Sequence, residues 1–533
     1  MVFPTSKKTV LYSVFFIVVL IIACTLRIPE LDRRPMHTDE AVQAVKFGML
    51  LKDNFYQYDR TEYHGPTLYY LTLIPARLES AADLTEIDES TLRIVPAFSG
   101  IMLIVLLLLL VNDLGWPVVT AAGLLTALSP AMAFYSRYYI QETLLVFFTF
   151  AAIVCGYRYL KRRRIVWAVL AGICFGLSHA TKETFIIAAG AMACALVLLF
   201  LTGNEDTVPR RFSLRNVNYR HISVAVVAAL VVSALLYSSF FTNPAGIRDS
   251  YLTYTDYMSK AALNEIHAHP WYYYFKLLIF PGDLSRPVWS EFFIVLLAAA
   301  GAMTVFLKKG AAGVDFIFLR FIAFYTLIMV AVYSVIPYKT PWIMLGFFHG
   351  LILLAGAGMT VLLRAGSRKT VRIPVLLLIV AGCAHLITQS YLANYRYYAV
   401  PANPYVYAHT SDDVYQVINR IEDVAAVHPD GKKMYIEVIC PEHDYWPLPW
   451  YLRSYPNTGW WEKVNMDVPA APVIIASPEA EPDLLKKLYD LPVPGKRDLY
   501  VPLFDTYTEL RPAVELRGYI IKDLWDAYRL EKN

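Results

Sequence analysis

The sequence predicts an all-α polytopic membrane protein of about 11 transmembrane helices, followed by a C-terminal soluble α/β domain. Three observations predict it. The 533-residue chain is 57% hydrophobic with only 17% Asp, Glu, Lys and Arg, against roughly 25% in soluble domains. Its mean hydropathy is +0.43. The charge is also uneven: from Leu392 onward there are 15 Lys+Arg and 21 Asp+Glu in 142 residues, and the first 391 residues hold the other 56 charges. We therefore divide the chain into a transmembrane part, 1–391, and a soluble part, 392–533. The net charge of +4 conceals an excess of basic residues in the first part and of acidic ones in the second. The basic residues sit in short loops between apolar runs, so no nucleic-acid partner is implied. The six cysteines are scattered and offer neither a disulfide framework nor a metal-binding spacing.

Eleven apolar segments are long enough, or nearly so, to cross a bilayer: 9–27, 93–112, 116–135, 142–159, 165–180, 184–202, 221–242, 288–307, 316–337, 342–363 and 373–391. The first lacks a small-residue cleavage site and reads as an uncleaved span. Loop charges orient the set. With the N-terminus in the cytoplasm, the short inner loops carry Lys7, Lys8, Lys161–Arg164, Arg210, Arg211, Arg215, Arg220, Lys308, Lys309, Arg364, Arg368, Lys369 and Arg372. The short outer loops carry only Arg137, Lys182 and Lys339. The positive-inside rule then puts the C-terminal domain outside the cell membrane, together with the longer connections 28–92 and 243–287.

The outer face carries the polar chemistry. The first outer loop (28–92) opens Arg33-Arg34-Pro35-Met36-His37-Thr38-Asp39-Glu40 and continues into an amphipathic helix. Asp39 and Glu40 suit a helix start capped by Thr38, where acids favour the macrodipole. The same position holds a carboxylate in place for other work, so both readings stand. Thr67–Ala76 is apolar but too short to span, and reads as an interfacial helix. Short outer turns bring Arg137 and Glu142, then Lys182 and Glu183, then Lys339, to the same border. Cations there can hold a phosphate, and carboxylates can accept a proton or bind a metal. Such a set suits a lipid-phosphate sugar. Its phosphate leaves already ionised, so the need is for a base to deprotonate an acceptor hydroxyl and cations for the departing charge. There is no glycine-rich phosphate loop for a cytoplasmic nucleotide sugar.

The residues carry a resemblance. An uncleaved first span followed by an outer loop with Asp39-Glu40 resembles the GT-C membrane glycosyltransferases, which include protein O-mannosyltransferases and lipid A aminoarabinose transferases. His64-Gly65-Pro66-Thr67-Leu68-Tyr69-Tyr70 resembles their Pro-Pro-Leu-Tyr-Tyr element, and Arg93-Ile94-Val95-Pro96-Ala97 the start of their second span. His37-Thr38-Asp39-Glu40, Pro337-Tyr338-Lys339-Thr340-Pro341-Trp342 and Trp446-Pro447-Leu448-Pro449-Trp450-Tyr451-Leu452-Arg453 resemble, more narrowly, the bacterial and archaeal flippase-activity-associated family of the N-glycosylation type. The resemblance implies inverting transfer of a sugar from a polyprenyl-phosphate donor to an unidentified protein, lipid or glycan acceptor at the outer face. It makes Asp39 the general base with Glu40 beside it. His37, His64, Arg137, Glu142, Lys182 and Lys339 are then the substrate-binding candidates. Glu142 stands where oligosaccharyltransferases of this superfamily carry an acidic metal-binding motif. Here there is one Glu rather than a pair, and mannosyltransferase-like members are regarded as metal-independent, so no metal ligand is assigned and a role for Mg or Mn stays open.

A flippase, transporter or accessory factor for a lipid-linked sugar is the rival. It predicts ionisable residues at span centres and a repeat between halves. The sequence keeps Asp, Glu, Lys and Arg away from span centres and shows no internal repeat.

The tail reads as helix over Asp412–Val427, strands at Lys433–Ile439, Val473–Ala476 and Leu499–Leu503, and a helix at Glu479–Tyr489. This alternation predicts a largely parallel sheet.

Overall fold

The computed structural model describes residues 7–60, 64–202, 218–263, 267–279, 287–307, 315–365, 369–493, 495 and 497–532. Arg210, Arg211, Arg215, Lys308, Lys309 and Arg368 of the topology argument lie outside the described residues.

All eleven apolar segments are helical. Among the described residues seven helices are long and apolar enough to cross a membrane: Lys7–Arg27 (α1), Glu89–Leu114, Glu142–Arg162, Tyr219–Tyr237, Phe316–Val335, Pro341–Arg364 and Thr370–Tyr395. Trp116–Leu128, Ile165–His179, Phe185–Leu201 and Phe292–Leu307 are shorter. The segment beginning at Trp116 is shortened by a break: Ser129 sits before Pro130 with extended ψ, and its hydroxyl caps a new turn, Pro130–Tyr135. The chain is a multi-pass membrane protein.

Small residues set the spacing inside the bundle. A Cβ on Gly301 would lie 1.9 Å from the Leu354 carbonyl oxygen, and one on Gly358 2.0 Å from that of Leu297. Phe292–Leu307 and Leu345–Ala365 therefore meet backbone to backbone. One apolar core joins α1 to these helices and to Trp116–Leu128 and Phe316–Val335.

A second core builds the polar end. It holds α2 (Thr38–Asp53) and α3 (Thr67–Leu78) together through Phe47, Leu50, Leu68 and Tyr69, and takes in Trp450 from the C-terminal unit. These are the amphipathic and interfacial helices expected in the loop 28–92.

After Tyr395 an irregular strap, 396–412, crosses to a smaller strand-containing unit. Its sheet order is β2-β1-β3-β7-β4, with β1 at Ile436–Ile439, β2 at Thr458–Trp461, β3 at Val473–Ala476, β4 at Tyr500–Pro502 and β7 at Arg517–Ile521. Strands β5 (Glu509–Arg511) and β6 (Val514–Glu515) form a separate hairpin. β1 is parallel to both its neighbours, but β7 runs antiparallel between β3 and β4. The expectation of a largely parallel sheet is thus corrected to a mixed one, because the chain returns as β7 after a hairpin rather than a helix. The faces alternate as period 2 requires. Ile436, Val438, Val473 and Ile475 pack on helix Asp413–Val427; Ile439, Ile474 and Ala476 face Leu484 and Leu488.

Candidate active site

The first turn of α2 is built by His37. Its backbone is extended, with φ −67° and ψ 153°, and its Nδ1 accepts the Asp39 N–H at 3.1 Å. Glu40 closes the capping box by accepting the His37 N–H at 3.0 Å. The cap is therefore His37 and not Thr38 as expected; imidazole nitrogen replaces the hydroxyl oxygen as acceptor. Because Nδ1 accepts, Nε2 carries the proton, and it bonds the Tyr407 carbonyl at 3.0 Å. His37 is spent on holding the turn, not on reaching a substrate.

Glu40 is fully buried. Arg93 grips it with two donors, Nε at 2.7 Å and Nη2 at 2.8 Å, and the Tyr139 N–H adds a third bond at 2.8 Å. Burial works against its charge, but Arg93 and Arg34 outweigh that and hold the carboxyl at about 2. Arg93 also donates to the carbonyls of Leu31, Arg34 and Pro35. Glu40 and Arg93 thus lock the loop that leads into α2. This corrects the placing of Glu40 among the catalytic groups: it has no lone pair turned to an open site.

Asp39, one residue earlier on the helix, is the opposite. Its side chain is 47% exposed. Around it stand Tyr138, Tyr338, Tyr407 and His267. Burial raises the three phenols, and the Asp39 charge raises them further. At His267 burial lowers the imidazole while the same charge opposes it. The segment 267–269 reaches this place by pairing with the turn before Trp342: the His269 N–H donates to the Pro337 carbonyl and the Lys339 N–H to that of His267, both at 3.0 Å. His267 Nδ1 lies 2.6 Å from the Tyr407 hydroxyl, and His269 Nε2 3.4 Å from it. Trp342 closes one side, with ring centres 5.6 Å from His37 and 5.9 Å from Tyr407.

The other expected residues separate into three groups. Lys182 and Glu142 form a buried ion pair, and both act on the Tyr338 phenol that also feels Asp39. They stand on the far side of that phenol from Asp39's charge, and among the described residues no contact joins them to Asp39 itself. Lys339 is buried and donates to the carbonyls of His269 and Ile336; it braces the 267–269 segment at the site's edge. Arg137 is not directed at the site. Its guanidinium donates to the carbonyls of Arg27, Pro29 and Glu30 at 3.1, 2.7 and 2.8 Å, closing the end of α1, and stacks on Tyr395. Burial lowers it to about 10. Its Nη1 and Nη2 are thus turned to the backbone at the end of α1, away from Asp39, which speaks against its reading as a phosphate ligand. His64 bonds Glu183 at 2.8 Å, with the Tyr58 hydroxyl donating to the same carboxylate at 3.2 Å. Burial would raise Glu183, yet His64 holds it below the usual carboxylate range. This pair ties the two loops together, and no contact links it to Asp39 among the described residues.

Among the described residues no group of three or more His, Cys, Asp or Glu is placed to hold a metal ion.

Comparison with solved structures follows this geometry. The chain superposes on ArnT from Cupriavidus metallidurans bound to undecaprenyl phosphate with a TM-score of 0.61, at 14% identity, over 97% of this chain and 98% of that one. The fold is the GT-C fold. The archaeal oligosaccharyltransferase AglB from Archaeoglobus fulgidus, in complex with an inhibitory peptide and a dolichol-phosphate, gives 0.56 at 13% identity, over 89% of this chain and 70% of that one. The A. fulgidus oligosaccharyltransferase tethered with an acceptor peptide gives 0.55 at 12% identity, over 84% of this chain. The chain spans 63% of that protein's length. Residues 74–244 match the family of dolichyl-phosphate-mannose-protein mannosyltransferases. Comparison with curated proteins gives no match.

Sequence reasoning missed Arg34, His267, His269, Tyr407 and His409, whose ring stacks on that of His37 with centres 5.7 Å apart. Arg34 was visible in the loop's opening. The alternation His267-Ala268-His269 in the connection 243–287 was a signal not used, as was Tyr405-Val406-Tyr407-Ala408-His409 after the helix that ends at Tyr395.

Proposed function

We propose that this GT-C-fold protein transfers a sugar from a polyprenyl-phosphate donor to an acceptor hydroxyl at the outer membrane face, with inversion. The N-terminus would be cytoplasmic, residues 1–391 would carry the reaction, and residues 392–533 would form an extracytoplasmic domain over it. The observation that carries the reading is the exposed Asp39 carboxylate, fixed on a helix start between a locked Glu40 and an aromatic, histidine-rich wall. Asp39 takes the proton from the acceptor hydroxyl as its oxygen attacks the anomeric carbon. The bond from that carbon to the phosphate oxygen breaks, and polyprenyl phosphate leaves as an anion. Lys182, held by Glu142, and Lys339 supply positive charge for it. Rings such as Trp342 and Tyr338 suit the apolar face of a sugar. Arg137, His64, His37 and Glu40 act by holding the loops.

The test is Asp39→Asn. The full chain, purified in detergent, would be given a panel of undecaprenyl-phosphate-linked sugars and a membrane extract from a strain lacking the protein. Loss of a general base predicts a fall in transfer of about 10²–10⁴-fold, with normal insertion and melting. Wild-type transfer by Asp39→Asn would refute the role. In vesicles, movement of labelled lipid without chemical change would favour the flippase instead.

A further inference from the structure

A cavity of about 510 Å³ lies between α2, the segment 57–60 and the helix Ala245–Leu263. Its volume falls within the range of small-molecule sites. Every side chain that lines it ends in a polar group: Lys46 from α2, Gln57 to Arg60 from the segment, and Arg248 and Asp249 from the helix. The transfer chemistry proposed above uses none of them. Lys46 and Tyr58 are buried, Asp59 and Asp249 half-buried, and Gln57, Arg60 and Arg248 exposed.

The walls are fixed before any ligand arrives. The Tyr58 hydroxyl donates to Glu183 at 3.2 Å, and its ring meets that of Tyr237 edge-on with centres 4.7 Å apart. The Thr253 hydroxyl donates to the Arg60 carbonyl at 3.2 Å, and Arg60 pairs with Asp256 at 3.1 Å, so the segment is tied to the helix. Arg248 pairs with Asp249 at 3.0 Å. Lys46 Nζ lies 5.4 Å from the centre of the Tyr56 ring, whose hydroxyl donates to the His64 carbonyl at 3.2 Å.

This lining selects a class of ligand. An apolar chain would take water from charged and amide groups and give no hydrogen bond in return. A bare anion gains little from two guanidiniums that each already have a carboxylate beside them. A neutral ligand rich in hydroxyls fits, because each hydroxyl both donates and accepts and can bridge a guanidinium to its carboxylate. That is the chemistry of a saccharide. The place of the cavity relative to Asp39 is set by α2. Asp39 and Lys46 are seven residues apart on that helix, close to two turns, so they share a face and stand about 10 Å apart along its axis.

We propose that this cavity is an acceptor subsite and that the acceptor is a glycan, with one hydroxyl at Asp39 and a further sugar unit in the cavity. This rests on the glycosyltransferase reading.

The test has two readouts on the full chain in a sugar-free detergent. In saturation-transfer NMR with free chitotriose, mannotriose and cellotriose, the wild type and Asp39→Asn contact at least one of the three. Arg248→Ala combined with Asp249→Ala, which keeps the net charge and the wild-type melting, loses that contact. In the transfer assay the double variant needs about 10-fold more membrane extract for its half-maximal rate, the loss expected when hydrogen bonds to charged groups are removed, while the donor KM stays as in the wild type. Periodate, which cleaves vicinal diols, abolishes the acceptor activity of the extract, and protease does not. A wild type that contacts none of the trisaccharides overturns the proposal. So does a double variant with an unchanged need for extract, or one in which the donor KM rises instead; both leave Asp39 in place as the base. Acceptor activity that survives periodate, or that protease destroys, overturns the glycan as acceptor. If the wild type transfers none of the sugars in the panel, the functional reading fails, and the NMR contact still decides whether the cavity holds a saccharide.

Discussion

Replacing Glu40 with Gln separates the two acids of the Asp39-Glu40 pair. In the wild type Oε1 receives Arg93 Nε at 2.7 Å and the Tyr139 N–H at 2.8 Å, while Oε2 receives Arg93 Nη2 at 2.8 Å and the His37 N–H at 3.0 Å. A Gln amide keeps one oxygen and turns its NH2 toward the other two donors. Two hydrogen bonds become donor–donor contacts, and Arg93, itself buried, loses its counter-charge. Removing one partner of a buried pair costs about 3–5 kcal/mol, a large share of a stability of roughly 5–15 kcal/mol. Melting followed by tryptophan fluorescence in detergent should fall by several degrees, and hydrogen exchange should quicken over 28–53. Asp39→Asn should melt like the wild type. The sign of the pH effect follows from the same carboxyl. Its folded value of about 2 lies below the ordinary 4.5, so its contribution is present above the unfolded value and is lost as pH falls through about 2. If Glu40→Gln melts with the wild type yet transfers no sugar, the roles of the two acids are reversed and the assignment of Asp39 fails.

Other perturbations follow from the same contacts. Gly65→Ala would place a Cβ 2.2 Å from the Ala180 carbonyl oxygen, which also accepts the Thr67 N–H at 3.0 Å; overpacking there should cost about 1–3 kcal/mol and lower the yield of folded protein. Arg453→Ala removes a guanidinium 3.8 Å above the Trp450 ring and its bonds to the Leu84 and Ile87 carbonyls at 3.0 Å; limited proteolysis should then cut between the C-terminal unit and the helices faster than in the wild type. Lys487→Met strands Glu437, bonded at 2.7 Å and fully buried, and should cost about 3–5 kcal/mol, most of it recovered when Glu437 is changed to Met as well. Urea titration of the three variants would check this.

The helices were legible because membrane burial writes itself as long uncharged runs. The Asp39 turn was legible because a loop that opens with four charged residues among eight is rare beside an apolar span. The partners of those charges were not. Glu40 and Arg93 are 53 residues apart, and Lys182 could as well have met Glu183 as Glu142; only packing decides. Arg137 looked like a site cation because it sits at the right border, but three carbonyls at the end of α1 reach it first. The antiparallel β7 was missed because Arg517-Gly518-Tyr519-Ile520 carries a glycine and a charge, although on the sheet those residues alternate between faces in the ordinary way.

The Met36 backbone donates to the Tyr451 hydroxyl at 2.8 Å and accepts from Thr410 at 2.7 Å, across 415 and 374 residues. Biosynthesis therefore makes this loop 374 and 415 residues before the two side chains that hold it. The helices of a nascent chain can be in place while the Asp39 turn still lacks the bonds that fix it. On the transferase reading proposed above, the turn that carries Asp39 gains these two bonds only once residues 410 and 451 have been made. Chains truncated before residue 410 should insert and yet be inert, which makes the strap a checkpoint on completeness.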